Sequence, residues 1–218
     1  YSINQMMDDL TAVIQYYRTS PNQKVFLFGH SWGGMLTAAY INKYPGTISG
    51  AVLAEPGGIT SDLLEEYGEK SRRLKLFNEV TNDVLYPDQF LTGNENDHAV
   101  LDYKLALTYT YAYAKNNDEG VEGPSPFWRL GAGVLKKLSE FADEEGFDFT
   151  TNLQQYTKKV LFLYSENNRA YGQSFAAKEA AAFPNVQLSK VTGTGHEMIW
   201  FAWDRVQALV LPYLNSLR

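Results

Sequence analysis

Four short apolar segments, each followed by a polar or glycine-rich stretch, mark the chain at wide intervals. Residues 24–28, 48–54 and 160–164 are apolar almost throughout, which is typical of a strand buried on both faces. Residues 186–191 alternate between apolar and polar positions, as a half-buried strand does. Residues 1–20 and the stretch after Gly33 repeat apolar side chains at helical spacing instead. The pattern therefore predicts strands that alternate with helices.

The first predicted strand leads directly into Gly29-His30-Ser31-Trp32-Gly33-Gly34. A Gly-x-Ser-x-Gly turn between a strand and a helix is a nucleophile elbow, which holds the serine hydroxyl above the carboxyl end of a sheet. Small residues two before and two after the serine are expected to let strand and helix pass closely. An ordinary glycine-serine turn is the alternative, and the strand before it and the helix after it favour the elbow. Ser31 is the predicted nucleophile.

A nucleophilic serine needs a general base, and three histidines are available. His196 follows the alternating strand through the flexible loop Thr192-Gly193-Thr194-Gly195, so it is the predicted base. A surface-loop histidine is the alternative interpretation. We interpret His30 as a packing residue that points away from Ser31, and His98 as a solvated residue near a helix start.

These motifs resemble the α/β-hydrolase family, and the residues around Ser31 are most similar to its proline iminopeptidase-like branch. Residues 1–60 and 155–218 follow the family order well. The resemblance implies an α/β-hydrolase fold with a mostly parallel sheet and a helical cap inserted after the sixth strand. It implies a hydrolase core at 1–59, a cap at 60–155, and the last two strands and helices at 156–218.

The acid of the triad departs from the family pattern. Many members have Gly-x-x-Asp after the strand that matches Val160–Tyr164, and this chain has Asn168 at the aspartate position. A neutral amide does not stabilise the imidazolium that forms during catalysis. Glu55, directly after the strand 51–54, is our preferred acid, because some members of the fold take their acid from that strand end. Glu166 is the alternative acid, and a chain without an acid remains the third possibility.

The resemblance also implies strands before the elbow strand that this chain does not contain. We expect the N-terminal strands to belong to a missing segment of the same protein, which would complete the sheet beside residues 24–28. The elbow predicts that the backbone N–H of Trp32 is one oxyanion-hole donor. The second donor is expected from the missing segment.

Charge is divided unevenly along the chain. Residues 60–155 hold 18 acidic and 9 basic residues, for a net charge of −9, and the remaining residues hold 7 acidic and 10 basic, for +3. No basic stripe indicates nucleic acid binding, and no apolar run approaches the roughly 20 residues of a membrane span. The chain has no cysteine, no phosphate-binding glycine loop and no zinc-protease motif. We therefore expect no metal, no cofactor, no nucleic acid partner and no membrane span.

The leading hypothesis is a serine hydrolase that cleaves an ester or amide bond of a small-molecule or short-peptide substrate through an acyl-enzyme. The resemblance implies a proline iminopeptidase-like aminopeptidase, whose cap carboxylates would hold the free amino terminus of the substrate. For Glu65, Glu66, Glu69 and the run Asp143-Glu144-Glu145, we prefer the alternative interpretation, in which these carboxylates form the solvated faces of helices. A small-acyl carboxylesterase and a non-catalytic hydrolase-fold binding module are the alternatives.

Overall fold

Four parallel strands form the centre of the fold. The computed structural model describes residues 2–71, 94–115, 118–124, 126 and 128–217. The strands are β1 (Phe26–His30), β2 (Gly50–Ala54), β3 (Val160–Ser165) and β4 (Val186–Val191), side by side in that order. Phe28 lies opposite Val52, and Leu53 lies opposite Phe162. The mostly parallel sheet with helices expected of an α/β-hydrolase fold is confirmed.

Helices precede, connect and follow these strands. The described helices are α1 (Ile3–Tyr17), α2 (Trp32–Lys43), α3 (Ser61–Ser71), α4 (Glu95–Lys115), α5 (Ala132–Glu144), α6 (Gly172–Ala180), α7 (Met198–Phe201) and α8 (Trp203–Asn215). A 3₁₀ turn covers Leu153–Gln155. Helices α3, α4 and α5 fall between β2 and β3, within the predicted cap. Residues 72–93 of that predicted cap lie outside the described residues, and its boundaries stay a prediction.

The core lies on both faces of the sheet, which explains the continuous apolar runs of the central strands. β2 and β3 are buried at every position. Leu53 and Phe162 belong to the cluster that includes residues of α1, α2 and α6, whereas Val52 and Leu161 pack with residues of α8. Successive side chains of a strand point to opposite faces, so each strand must be apolar throughout to supply both clusters.

β1 differs from the central strands. Among the described residues it pairs with β2 alone, and Phe28 is 40% exposed although it contacts the ring of Trp203. None of the described helices combines the length and the apolar character that crossing a bilayer requires. The prediction that a further segment pairs with β1 stays a prediction.

Parallel strands bring their carboxyl ends to one edge of the sheet. Ser31 follows β1, Glu55 follows β2, Glu166 follows β3, and the loop that carries His196 follows β4. The predicted nucleophile, the predicted base and both candidate acids therefore follow strands that end at this edge of the sheet.

Candidate active site

The turn at Ser31 has the strained backbone of a nucleophile elbow. Ser31 has φ 52° and ψ −122°, and its N–H donates to the carbonyl of Ala54 at 3.0 Å. A Cβ atom on Gly29 would lie 2.1 Å from the carbonyl oxygen of Gly33, so Gly29 must be glycine. A Cβ atom on Gly33 would meet nothing within 4 Å. The expected need for a small side chain therefore applies at Gly29 and not at Gly33.

Ser31, His196 and Glu55 form one hydrogen-bonded row. The Nε2 atom of His196 lies 3.1 Å from Ser31 Oγ, and its Nδ1 atom lies 2.9 Å from Glu55 Oε2. His196 and Glu55 are buried, with Glu55 fully so. Three side chains in this order have the geometry by which an acid orients an imidazole beside a serine hydroxyl.

Glu55 is held by donors on both of its carboxylate oxygens. Oε1 accepts from the N–H and the Oγ of Ser165, each at 2.6 Å, and Oε2 accepts from Asn168 Nδ2 at 2.8 Å as well as from His196. Burial alone would raise the pKa of Glu55, but the bonds from His196 and Ser165 outweigh it and lower the pKa. The carboxylate is therefore ionised in a fully buried position.

The backbone of Glu55 is also strained, with φ 42°. In the described part of the chain, Ser31 and Glu55 are the two non-glycine residues with positive φ. Such conformations cost about 1–3 kcal/mol each and concentrate at functional sites. Both strained residues thus lie in the same hydrogen-bonded row.

Glu166 is not in this row, which corrects its assignment as the alternative acid. Its carboxylate accepts from Lys190 Nζ and from the N–H of Gly193, both at 2.9 Å, and its side chain is 42% exposed. The side chain leaves β3 in the solvent direction, so it cannot orient His196. Asn168, at the position where the family pattern has aspartate, donates to Glu55 instead.

His30 packs against His196, and it also makes a hydrogen bond that its interpretation as a packing residue did not include. His30 Nε2 donates to the carbonyl of His196 at 2.6 Å, and the two ring centroids lie 4.7 Å apart. Burial, and next the positive charge of His196, lower the pKa of His30 to about 3. His30 is thus a neutral donor that fixes the backbone at His196.

A short acidic segment of the predicted cap lies against the His196 loop. The carbonyl of Glu119 accepts from the N–H of His196 at 2.8 Å, and the carboxylate of Glu122 accepts from the N–H of Gly195 at 3.1 Å. A Cβ atom on Gly195 would lie 2.0 Å from the carbonyl oxygen of Gly120, which shows how closely the two backbones approach. Sequence reasoning missed this segment, although Asp118-Glu119-Gly120-Val121-Glu122-Gly123 is a conspicuous run of acidic and glycine residues.

Neighbouring carboxylates raise the pKa of His196. Burial lowers the pKa of its imidazole, but the bond to Glu55 and the negative charges of Glu119, Glu55 and Glu197 together raise it to about 9. The pKa of Glu197 is raised by burial and then by Glu119, Glu55 and Glu122, although His196 opposes the shift. The site is therefore strongly negative around one imidazole.

A sequence model of the family described as serine aminopeptidase, S33, matches residues 1–199. The chain belongs to this family. A search among curated proteins finds no match. Because the match covers most of the chain, the chain is a hydrolase of the α/β-hydrolase superfamily.

Solved structures of the same fold include enzymes with different activities. Proline iminopeptidase from Mycobacterium smegmatis has a TM-score of 0.64 at 16% identity, with 100% of this chain and 72% of that chain covered. A thermophilic esterase from Thermogutta terrifontis has a TM-score of 0.65 at 17% identity, with 100% and 73% covered. An α/β fold family hydrolase from Bacillus anthracis str. Sterne has a TM-score of 0.60 at 17% identity, with 100% and 74% covered. At these identities the likeness shows the fold alone.

Trp32 is the first residue of α2, so its N–H is among the helical amides without an intrahelical acceptor. That amide stands directly after the serine of this family member, where an elbow supplies an oxyanion donor. In the part of the chain that the structure describes, no cluster of three or more His, Asp or Glu side chains could hold a metal ion.

Proposed function

We propose that this chain is a serine hydrolase that forms an acyl-enzyme on Ser31. The observation that carries the proposal is the row in which His196 lies 3.1 Å from Ser31 Oγ and 2.9 Å from Glu55. The strained turn at Ser31 supports it, because the strain keeps the hydroxyl above the edge of the sheet.

In the proposed reaction Ser31 Oγ attacks the carbonyl carbon of the substrate while its proton passes to His196 Nε2. Glu55 stabilises the imidazolium, and the N–H of Trp32 donates to the oxygen that becomes negative. His196 then gives its proton to the leaving group, and the acyl group stays on Ser31. A water molecule, deprotonated by His196, attacks the acyl-enzyme, and His196 returns that proton to Ser31 Oγ as the acid is released.

We propose further that the substrate carries a free amino terminus, as in a proline iminopeptidase-like aminopeptidase. The carbonyl of Glu119 accepts from the N–H of His196, the carboxylate of Glu122 accepts from the N–H of Gly195, and Glu197 follows His196 in the chain, so all three residues lie beside the proposed base. A protonated amine is favoured in such a negative site. Glu119 accepts from the hydroxyl of Tyr67 at 3.0 Å, which fixes its position. A carboxylesterase with a small acyl pocket is the competing proposal.

The nucleophile is tested with a fluorophosphonate probe on the full-length protein. Ser31 should be labelled in the natural protein, and Ser31→Ala should abolish labelling without loss of folding. Because His196 must lose its proton to act as a base, labelling should accelerate as the pH rises through about 9. A folded protein that leaves Ser31 unlabelled at every pH would instead favour a non-catalytic binding module.

The substrate class is tested with three compounds: a prolyl arylamide, its N-acetylated form and a butyrate ester. An aminopeptidase should cleave the first and not the second, because acetylation removes the positive charge. Glu119→Gln should raise the KM for the free-amine compound more than for the ester. Faster turnover of the butyrate ester, with no preference for a free amine, would establish the esterase instead.

The segment expected to complete the sheet beside β1 also stays a proposal, together with the second oxyanion donor that it would carry. Removing one such donor typically lowers kcat about 10² to 10³-fold. Residues 1–218 alone should therefore label more slowly than the same residues with the further segment added in cis or in trans. Equal rates would show that the second donor belongs to residues 1–218.

A further inference from the structure

An unbroken row of hydrogen bonds joins the carboxylate of Glu119 to the carboxylate of Glu55. Tyr67 Oη donates to Glu119 Oε1 at 3.0 Å and accepts from Asn168 Nδ2 at 3.3 Å. The same Nδ2 atom donates its other hydrogen to Glu55 Oε2 at 2.8 Å. Oε2 is also the oxygen that lies against His196, so the row ends at the imidazole.

The direction of each bond in this row is determined by its neighbours. Asn168 Oδ1 accepts from the N–H of Tyr171 at 3.1 Å, which turns Nδ2 toward Glu55. Burial, and then the charges of Glu119 and Glu55, raise the pKa of Tyr67, so its hydroxyl keeps its proton. That one proton goes to Glu119, which leaves an oxygen lone pair for Asn168.

The ring of Tyr67 is held independently of its hydroxyl. Its centroid lies 5.4 Å from that of Tyr171, 5.8 Å from that of Phe175 and 6.2 Å from that of His196. Removing the hydroxyl alone should therefore leave the ring in place. Tyr67→Phe should therefore remove the two hydrogen bonds of the hydroxyl and keep the packing of the ring.

We propose that Tyr67 and Asn168 are positioning residues that connect Glu119 to Glu55, so that a change at Glu119 alters how Glu55 holds His196. The inference rests on the proposed roles of Glu55 and His196. Neither residue touches the reacting atoms. Asn168 gives the carboxylate a donor where an aspartate would give a second negative charge, and Tyr67 ties the acidic segment of the cap to the same carboxylate.

The titration of His196 reports on this connection. The charged and titratable groups that act on or contact it come from the ends of β1 and β2, from α3, from the acidic segment and from its own loop: His30, Glu55, Tyr67, Glu119, Glu122 and Glu197. Without the hydroxyl of Tyr67, Glu119 loses a donor and its carboxylate can turn to solvent, where water screens its charge. The imidazole should then lose its proton at lower pH.

The first experiment follows the Cε1–H resonance of His196 by NMR between pH 5 and 11, assigned with His196→Gln. Tyr67→Phe and Glu119→Gln should each lower the titration midpoint by about one pH unit, and the double variant should lower it no further than Glu119→Gln alone. Additive shifts, or no shift in Tyr67→Phe, would overturn the proposal. This readout needs no turnover, so it can succeed even if the fluorophosphonate test of the proposed function fails.

The second experiment replaces the donor at the centre of the row. Asn168→Asp sets a carboxylate against Glu55 and should raise the His196 midpoint by about one pH unit. Asn185→Asp makes the same charge change at an exposed position just before β4, at the opposite end of the sheet, and should leave the midpoint unchanged. An unchanged midpoint in Asn168→Asp, or an equal shift in both variants, would contradict the connection through Asn168.

Discussion

Glu55 and Glu179 are two fully buried glutamates whose pKa values are shifted in opposite directions. Glu55 accepts bonds from Ser165, Asn168 and His196, and these bonds lower its pKa although burial opposes them. Glu179 on α6 accepts from the N–H of Ile59 at 3.0 Å and from the hydroxyl of Tyr171. Burial raises the pKa of Glu179 to about 8, against the effect of those two bonds.

The comparison shows that burial by itself does not decide the charge of a carboxyl group. Four donors, one of them an imidazole that can carry positive charge, stabilise the ionised form of Glu55. Two donors without such a partner leave Glu179 protonated at neutral pH. The number and the charge of the donors therefore separate an orienting acid from a structural one.

The strongest test of this difference removes the charge at Glu55. Glu55→Gln should lower kcat about 10⁴-fold, because the amide cannot stabilise the imidazolium. Glu179→Gln is the matched control and should leave kcat nearly unchanged. Steady-state kinetics on whichever of the three test compounds is cleaved fastest makes the comparison, and equal losses of kcat in the two variants would remove the distinction between these carboxyl groups.

Glu179→Gln should instead change the dependence of stability on pH. The folded protein keeps the Glu179 proton up to a pH of about 8, whereas the unfolded chain releases it near 4.5. Stability of the natural protein therefore falls as the pH rises through this window. The neutral amide avoids that loss, which is on the order of 3 kcal/mol at pH 7. Urea unfolding at pH 5, 6, 7 and 8 measures the effect, and a glutamine variant less stable than the natural protein at pH 8 would contradict it.

A smaller effect is expected when Glu55 loses one donor of its four. Ser165→Ala removes the hydroxyl bond but keeps the backbone N–H that also reaches Oε1. A hydrogen bond to a charged group is worth about 1.5–3 kcal/mol, so kcat should fall by about 10-fold to 150-fold. Ser20→Ala, at an exposed position before β1, serves as the control. Unaltered kcat in Ser165→Ala would mean that the backbone donor alone keeps Glu55 in place.

The smallest effect is expected at Glu166, which directly follows β3, the strand next to the one that Glu55 follows. Its pKa is lowered by the bond from Lys190 and then by the bond from Gly193, in a solvent-exposed position. Glu166→Gln should therefore leave kcat and its pH profile as they are. A large loss of kcat in this variant, with Glu55→Gln unaffected, would restore Glu166 as the acid.

Local sequence patterns predicted the elements that meet at the active edge. The apolar run before Gly29 became β1, and the helical spacing after Gly33 became α2, with Ser31 strained between them. Such features can be predicted from the sequence because a strand, a tight turn and a helix each depend on a few consecutive residues. The choice of Glu55 drew on its place directly after a buried strand, and that place brings it beside His196.

The contacts of the acidic segment could not be predicted in this way. Glu119 lies 52 residues from Tyr67, and Glu55 lies 113 residues from Asn168, so no spacing along the chain connects them. The hydrogen bond of His30 escaped prediction for the same reason, because its partner is the carbonyl of a residue 166 positions away.

The sequence by itself determined the α/β order, the elbow at Ser31 and the strand ends that carry Glu55 and His196, because these follow from periodicity and turn chemistry within short windows. Tertiary structure alone decided which carboxylate faces the imidazole, which side chains hold that carboxylate ionised, and how the acidic segment of the cap acts on His196. Those outcomes depend on distances of about 3 Å between distant parts of the chain, and only the closed packing around the sheet sets such distances.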